Sequence, residues 1–287
     1  MTNSPVERWT LGHCREWIAV PVAADDKYSR GVLGMATGSH LYPGAAVLGV
    51  EAAVRTGVGM VRYVGDDVPA HLVLQRRPEV VTAPGRVQAW AIGSGMDAAH
   101  RDAADDGRVR AALADGVPVV IDAGALDLIG EAIGPGVITP HYRELSRVLA
   151  DHDVSADPRT IAQDAPTWAA EAARLTGVTV LLKGHVTVVA TPSGELLDVS
   201  TGPEAGWLAT AGSGDVLAGI LGALVATHAD VVSRRGHDAL ARLAATAAAL
   251  HGAAAVIAGG ADDRPPGGPF AALDLAEALP AVIRDLL

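Results

Sequence analysis

Residues 208–219 read LATAGSGDVLAG, with three glycines and one acid among small or apolar side chains. Gly212 and Gly214 let the backbone turn so that N–H groups at the start of the next helix face a cleft. The helix dipole adds roughly half a positive charge there. Such a turn stabilises an anion that develops or is transferred beside it. Asp215 stands in the turn, where a carboxylate can take the proton of a hydroxyl whose oxygen attacks phosphorus. The same aspartate could equally be an N-terminal helix cap. The stretch lacks the Gly-Lys-Ser/Thr ending of a P-loop, and GVGMVR and GSGMDA lack the third glycine of a dinucleotide fingerprint. A P-loop NTPase and a simple Rossmann dehydrogenase are therefore disfavoured.

Other residues carry chemistry by type and place. Of the 22 basic residues only Lys27 and Lys183 are lysines, and each adjoins a glycine loop, in KYSRG and LLKGH. A lysine between a β run and a glycine is a compact charge suited to phosphate; the alternative for Lys183 is a side chain that only snorkels to water. His141 follows Thr-Pro at a strand end and either contacts substrate or bonds the backbone. Glu144 is equally a cap for the helix that begins near Tyr142. Asp122 closes a β run, where it orients a loop or a metal-bound water. His152, between Asp151 and Asp153, reads as a solvated loop, since no further Cys or His stands at zinc spacing. Cys14 is the only cysteine, which excludes an intramolecular disulfide and a cysteine-rich metal site; it reads as a lone thiol near a loose N-terminus.

The elements that must position these residues alternate. MVRYVG (60–65), QAWAIGSG (88–95), VPVVIDAG (117–124), GVITPH (136–141) and TVLLKG (179–184) read as buried parallel strands. Residues 43–57, 108–116 and 165–177 are Ala-rich, amphipathic and end on a glycine suited to a helix C-cap. The alternation predicts a doubly wound α/β sheet, with a hairpin in 184–200 around Pro192-Ser193-Gly194. Beyond 216 the chain is helical, and 237–260 is small and apolar, as a helix packed on both sides would be. Residues 151–164 and 259–268 read as surface loops. Ligands of such sheets lie beyond the C-terminal strand ends, where the segments 34–46, 93–97, 122–126, 139–144, 183–187 and 211–215 gather. Their joint placement on one edge is the signal.

The 287 residues can bury a sizeable core, and no linker divides them. The net charge of -11 and pI near 5.3 exclude a nucleic-acid surface but not a small anion held by backbone N–H groups. Charged residues interrupt the N-terminus before any secretory run forms. The apolar run Val216–Thr227 is too short for a bilayer. A cytoplasmic protein without membrane attachment is expected.

The ordered series TPHYRE, LLKGHVTVVA and AGSGDVLAG resembles the ribokinase-like NAD(P)H-hydrate dehydratases, over residues 27 to about 257. KYSRGVLGMATGSHLYPGAAVLGVEAAVRTGVGMVRY looks like that family's opening strand, glycine loop and helix. The resemblance implies a three-layer α/β/α sandwich with a mostly parallel sheet, formed by residues 27–287 after an extension of 1–26. It implies repair of hydrated NADH or NADPH with ADP or ATP, with Mg²⁺ held mainly by phosphates and water, in a homotetramer. Asp215 would be the base and a substrate contact. Lys183, Gly184, His185, Val186, Thr187 and Gly214 would hold the nucleotide, and Ala45, Gly95 and His141 would line the hydrated-cofactor side. No metal ligand is implied. The epimerase half of the bifunctional members is expected to be absent, because 26 residues before Lys27 cannot house it. The family's Gly-Asn-Pro segment is missing from STGPEAGWLATAG, Tyr28 and Thr37 replace glycines, and Gly124 replaces an acid. The same motifs leave open a ribokinase-like small-molecule kinase, such as a vitamin-precursor kinase, and a nucleotide-binding regulator without turnover.

Overall fold

Runs rich in Val, Ile, Leu and Ala form strands covered on both faces, the condition for a parallel sheet. The computed structural model describes residues 6–200, 203–260 and 267–287. Nine strands among them form one sheet: β1 (Glu7–Arg8), β2 (Val32–Ala36), β3 (Met60–Tyr63), β4 (Ala89–Ile92), β5 (Val119–Ile121), β6 (Gly136–Ile138), β7 (Thr179–Leu182), β8 (Val186–Ala190) and β9 (Leu196–Ser200). Their order is β1-β9-β8-β7-β6-β5-β4-β2-β3. Neighbours run parallel except β8, which is antiparallel to β7 and β9 as the Pro192-Ser193-Gly194 hairpin requires.

The helices are α1 (Leu11–Cys14), α2 (Pro43–Thr56), α3 (Asp67–Arg76), α4 (Ala103–Ala114), α5 (Tyr142–Ala150), α6 (Pro158–Gln163), α7 (Ala165–Thr176), α8 (Ser213–Thr227), α9 (Ala229–Arg235), α10 (His237–Ala258) and α11 (Ala272–Leu286). Side chains alternate across each strand: Leu181 joins the layer of α2, α8, α10 and α11, while Val180 and Leu182 join that of α4 to α7. The result is a three-layer α/β/α sandwich. α2 and α7 end on left-handed Gly57 and Gly177, the conformation glycine adopts without steric cost.

Several expectations need correction. α4 begins at Ala103, ahead of residue 108, because Asp102 caps the N–H groups of Ala104 and Asp105. Within the supposed loop 151–164, Asp157 caps α6 and Ile161 is buried. Cys14 is not loose: it is a buried core thiol, pushed up to about 11 chiefly by burial. The preceding Glu7–Arg8 pairs with β9, and Trp9 and Trp17 enter the same core. α10 is long and apolar enough to cross a membrane, unlike the shorter run singled out from sequence. It packs instead inside the fold against α8, α11 and the sheet. Of the altered stretch, Thr201 and Gly202 lie outside the described residues, as do 261–266 of the second loop, while Pro203–Leu208 is a 3-10 turn with Trp207 exposed.

Candidate active site

The C-terminal strand ends converge beside the start of α8. Gly212 is the N-cap of α8 at φ 88. A Cβ there would lie 2.5 Å from the end of the Leu48 side chain, but it is the positive φ that requires glycine. Gly214 contributes differently from the expected turn. It lies inside the first helical turn, and a Cβ on it would stand 3.6 Å from Lys183 Nζ. The helix start thus lies beside the lysine, with room for an ordinary side-chain contact. The first-turn N–H groups have no acceptor within the helix.

Asp215 shares this turn but is not its cap. Ser94 Oγ, just beyond β4, donates to Asp215 Oδ1. Burial, with the nearby Asp122 charge, pushes the Asp215 carboxyl above its ordinary value, while the Ser94 hydrogen bond and Lys183 pull it back. A carboxylate so placed is a better proton acceptor than one in water.

Lys183 leaves the end of β7 and is fixed by its neighbours. Its backbone N–H donates to Pro140 O at 2.8 Å. Its Nζ lies 3.1 Å from Asp122 Oδ1 and 3.7 Å from Glu144 Oε2. Burial disfavours the ammonium, but these two carboxylates outweigh it and hold Lys183 above its usual range. Asp122 also accepts from Thr139 Oγ1 at 2.7 Å. Glu144 takes the capping role considered for it, accepting from the His141 N–H at 2.8 Å, and it also faces the lysine. His141 caps α5 by accepting from the Glu144 N–H at Nδ1. That assignment leaves Nε2 as the donor, on a ring half exposed to solvent.

Gly95 and Ala45 meet on the other side of Ser94. A Cβ at Gly95, already at φ 68, would overlap the Ala45 methyl at 2.2 Å. Gly184 packs under the Tyr142 hydroxyl, where a Cβ would come within 2.1 Å. His185 is exposed and Val186 and Thr187 open β8. Among the described residues, no hydrogen bond joins these three side chains to the Asp215–Lys183 group. Lys27 stands apart, its ammonium over the Tyr28 ring. His152 turns Nδ1 to Val148 O at 2.9 Å.

Sequence reasoning passed over three residues. Ser94 sat unremarked between two glycines, and Thr139 within Thr-Pro-His. His251 lies buried in α10 with Nε2 2.9 Å from Ser213 O. Its only signal was being a histidine in the middle of an apolar helix. Burial lowers it to about 4, so it is neutral and donates to that carbonyl, anchoring the start of α8.

With this geometry in place, known proteins can be compared. A family described as NAD(P)H-hydrate dehydratase matches residues 33–262. The chain belongs to the NAD(P)H-hydrate dehydratase family. The bifunctional NAD(P)H-hydrate repair enzyme of Mycobacterium tuberculosis is 42% identical over 221 residues, which is 72% of this chain and 43% of that enzyme. The chain thus spans less than half of that relative. The ADP-dependent (S)-NAD(P)H-hydrate dehydratase of Neisseria meningitidis is 34% identical over 78% of this chain and 76% of its own length. The solved ADP/ATP-dependent dehydratase of Bacillus subtilis, co-crystallised with ATP and Mg²⁺, superposes with a TM-score of 0.81 at 26% identity, covering 98% of this chain and 99% of that one. A ribokinase-like protein of Enterococcus faecalis at 20% identity and TM-score 0.75 shares the fold. The sandwich of this family member is therefore ribokinase-like.

Proposed function

We propose that the protein removes water from hydrated NADH or NADPH, using ADP or ATP, and so restores the reduced nicotinamide. The observation that carries this is Asp215, partly buried, held by Ser94, and set at the N-terminus of α8 beside Lys183. Asp215 takes the proton of the ring hydroxyl as that oxygen attacks the terminal phosphorus of the nucleotide, which leaves one phosphate shorter. Lys183 and the first-turn N–H groups of α8 balance the charge that builds on the transferred group. The phosphate then leaves the ring carbon, pushed by the ring nitrogen's lone pair, and loss of a proton from the adjacent carbon restores the double bond. Membership of the family and the ADP dependence of the Neisseria meningitidis relative support this reading.

Lys183, Gly214 and the 184–187 segment are assigned to the nucleotide, and Ala45, Gly95 and His141 to the hydrated ring. Mg²⁺ fits as an ion carried by nucleotide phosphates and water, its usual mode, because the described residues group no three side chains able to hold a metal. When bound it neutralises phosphate charge. The reading extends to a single domain that takes in β1 and the N-terminal core residues as well as 27–287, and to a cytoplasmic location and a homotetramer, for which the family resemblance is the support. Mixing the protein with hydrated NADH and either nucleotide tests it: nicotinamide absorbance should return only when nucleotide is present. Absorbance that stays flat with both nucleotides, while an added alcohol is phosphorylated, would assign a kinase instead.

A further inference from the structure

Asp215 can serve as a base only if one of its oxygens is presented to the hydroxyl in a fixed direction, and the structure shows what fixes it. Ser94 follows β4 and is buried. Its backbone carbonyl accepts from Gly38 N–H at 2.7 Å, which ties it to the loop after β2. The glycines on each side are both left-handed, at φ 86 and 68. A Cβ on Gly93 would lie 2.2 Å from Asp122 O, and one on Gly95 would lie 2.2 Å from the Ala45 methyl. The strand end is thus packed closely between the end of β5 and α2 on either side of Ser94. Its single hydroxyl proton goes to Asp215 Oδ1, across 121 residues of chain. The other oxygen, Oδ2, turns toward the glycine turn, 3.9 Å from where a Gly212 Cβ would stand.

We propose that Ser94 is the positioning residue for Asp215, pinning one carboxylate oxygen so that the other meets the substrate hydroxyl. This rests on Asp215 acting as the base of the dehydration. A rotating carboxylate would spend little time in a productive pose, and small misplacements of a reacting group cost on the order of 10²-fold in rate. The remaining charged groups facing Asp215 are Asp122 from the end of β5 and Lys183 from the end of β7. Gly49 of α2 packs against the Asp215 backbone, and His251 from α10 contacts Ser213.

The test compares wild type with Ser94→Ala and with the nearly isosteric, weakly donating Ser94→Cys. Turnover of hydrated NADH is measured against pH, with the KM for nucleotide followed in parallel. Both variants should lose roughly 10- to 100-fold in kcat with nucleotide KM unchanged. The acid limb of their pH–rate profiles should move to higher pH, because the lost hydrogen bond favoured the charged carboxylate. A purely structural tie would change thermal stability without moving that limb. An active wild type whose two variants keep its pH profile and kcat overturns the role of Ser94 alone. A wild type with no turnover of hydrated NADH under either nucleotide overturns the underlying function as well.

Discussion

Asp215 and Lys183 make separable demands on the reaction, so their variants should fail in different ways. Asp215→Asn keeps the size of the side chain and removes proton acceptance. It should lower kcat by roughly 10²- to 10⁴-fold, the usual weight of general-base catalysis, while nucleotide affinity in a binding titration stays near wild type. Activity close to normal would leave Asp215 a structural residue. Lys183→Ala should raise the nucleotide KM by roughly 10- to 100-fold, as expected for a lost charged hydrogen bond. An unchanged KM would remove Lys183 from the nucleotide's surroundings. Asp215, Lys183 and the glycines were legible in the sequence because glycine turns and strand ends are local features. Ser94 and Thr139 were not, since their significance lies in partners 121 and 17 residues away. Gly214 lies within the first turn of α8 beside Lys183, where a Cβ would make only an ordinary contact with Nζ.

The start of α8 is held in place by helix packing as much as by its own turn. α8 crosses α2 where both present glycine, and a Cβ on Gly219 would lie 2.2 Å from Gly49 O. Gly219→Ala should gain up to about 1 kcal/mol of helix propensity yet lose about 1–3 kcal/mol to overpacking. The expected outcome is a lower Tm with reduced kcat, because the helix that carries Asp215 must shift. A Tm at or above wild type would show that the crossing has slack. Strands and the major helices followed from periodicity and glycine ends. The short α6 and the early start of α4 did not, because each depends on an aspartate cap, at Asp157 and Asp102, within stretches that otherwise read as polar loop. The N-terminal contribution to the sheet was also hidden, since a two-residue strand carries no periodic signal.

Across the whole molecule, stability should depend on histidines that folding withdraws from water, His251 fully and His228 and His237 in part. His228, His237 and His251 are all lowered by burial, His251 to about 4 from 6.5. A group lowered in this way supports the fold fully above its unfolded value and loses that support as pH falls toward its folded value. At about 1.4 kcal/mol per unit, His251 alone accounts for about 3 kcal/mol between pH 6.5 and 4. Glu51, fully buried among Arg77, Arg55 and Arg76, is lowered from 4.5 to about 2 and adds its own loss only below pH 4.5. Asp215, raised by burial, works in the opposite sense. Tm should therefore fall from pH 7 to pH 5, and His251→Gln should flatten that slope; parallel slopes would mean that His251 takes up its proton in the fold without cost. The α/β class was readable from alternation alone, whereas the depth at which α10 and its histidine are buried depends on the assembled layers. The most direct check on the proposed chemistry is a stoichiometry: inorganic phosphate released and NADH restored, counted together from hydrated NADH with limiting ADP or ATP. One phosphate per NADH is the expected result. Nucleotide consumed with a phosphorylated product accumulating and no NADH restored would contradict the dehydratase reading.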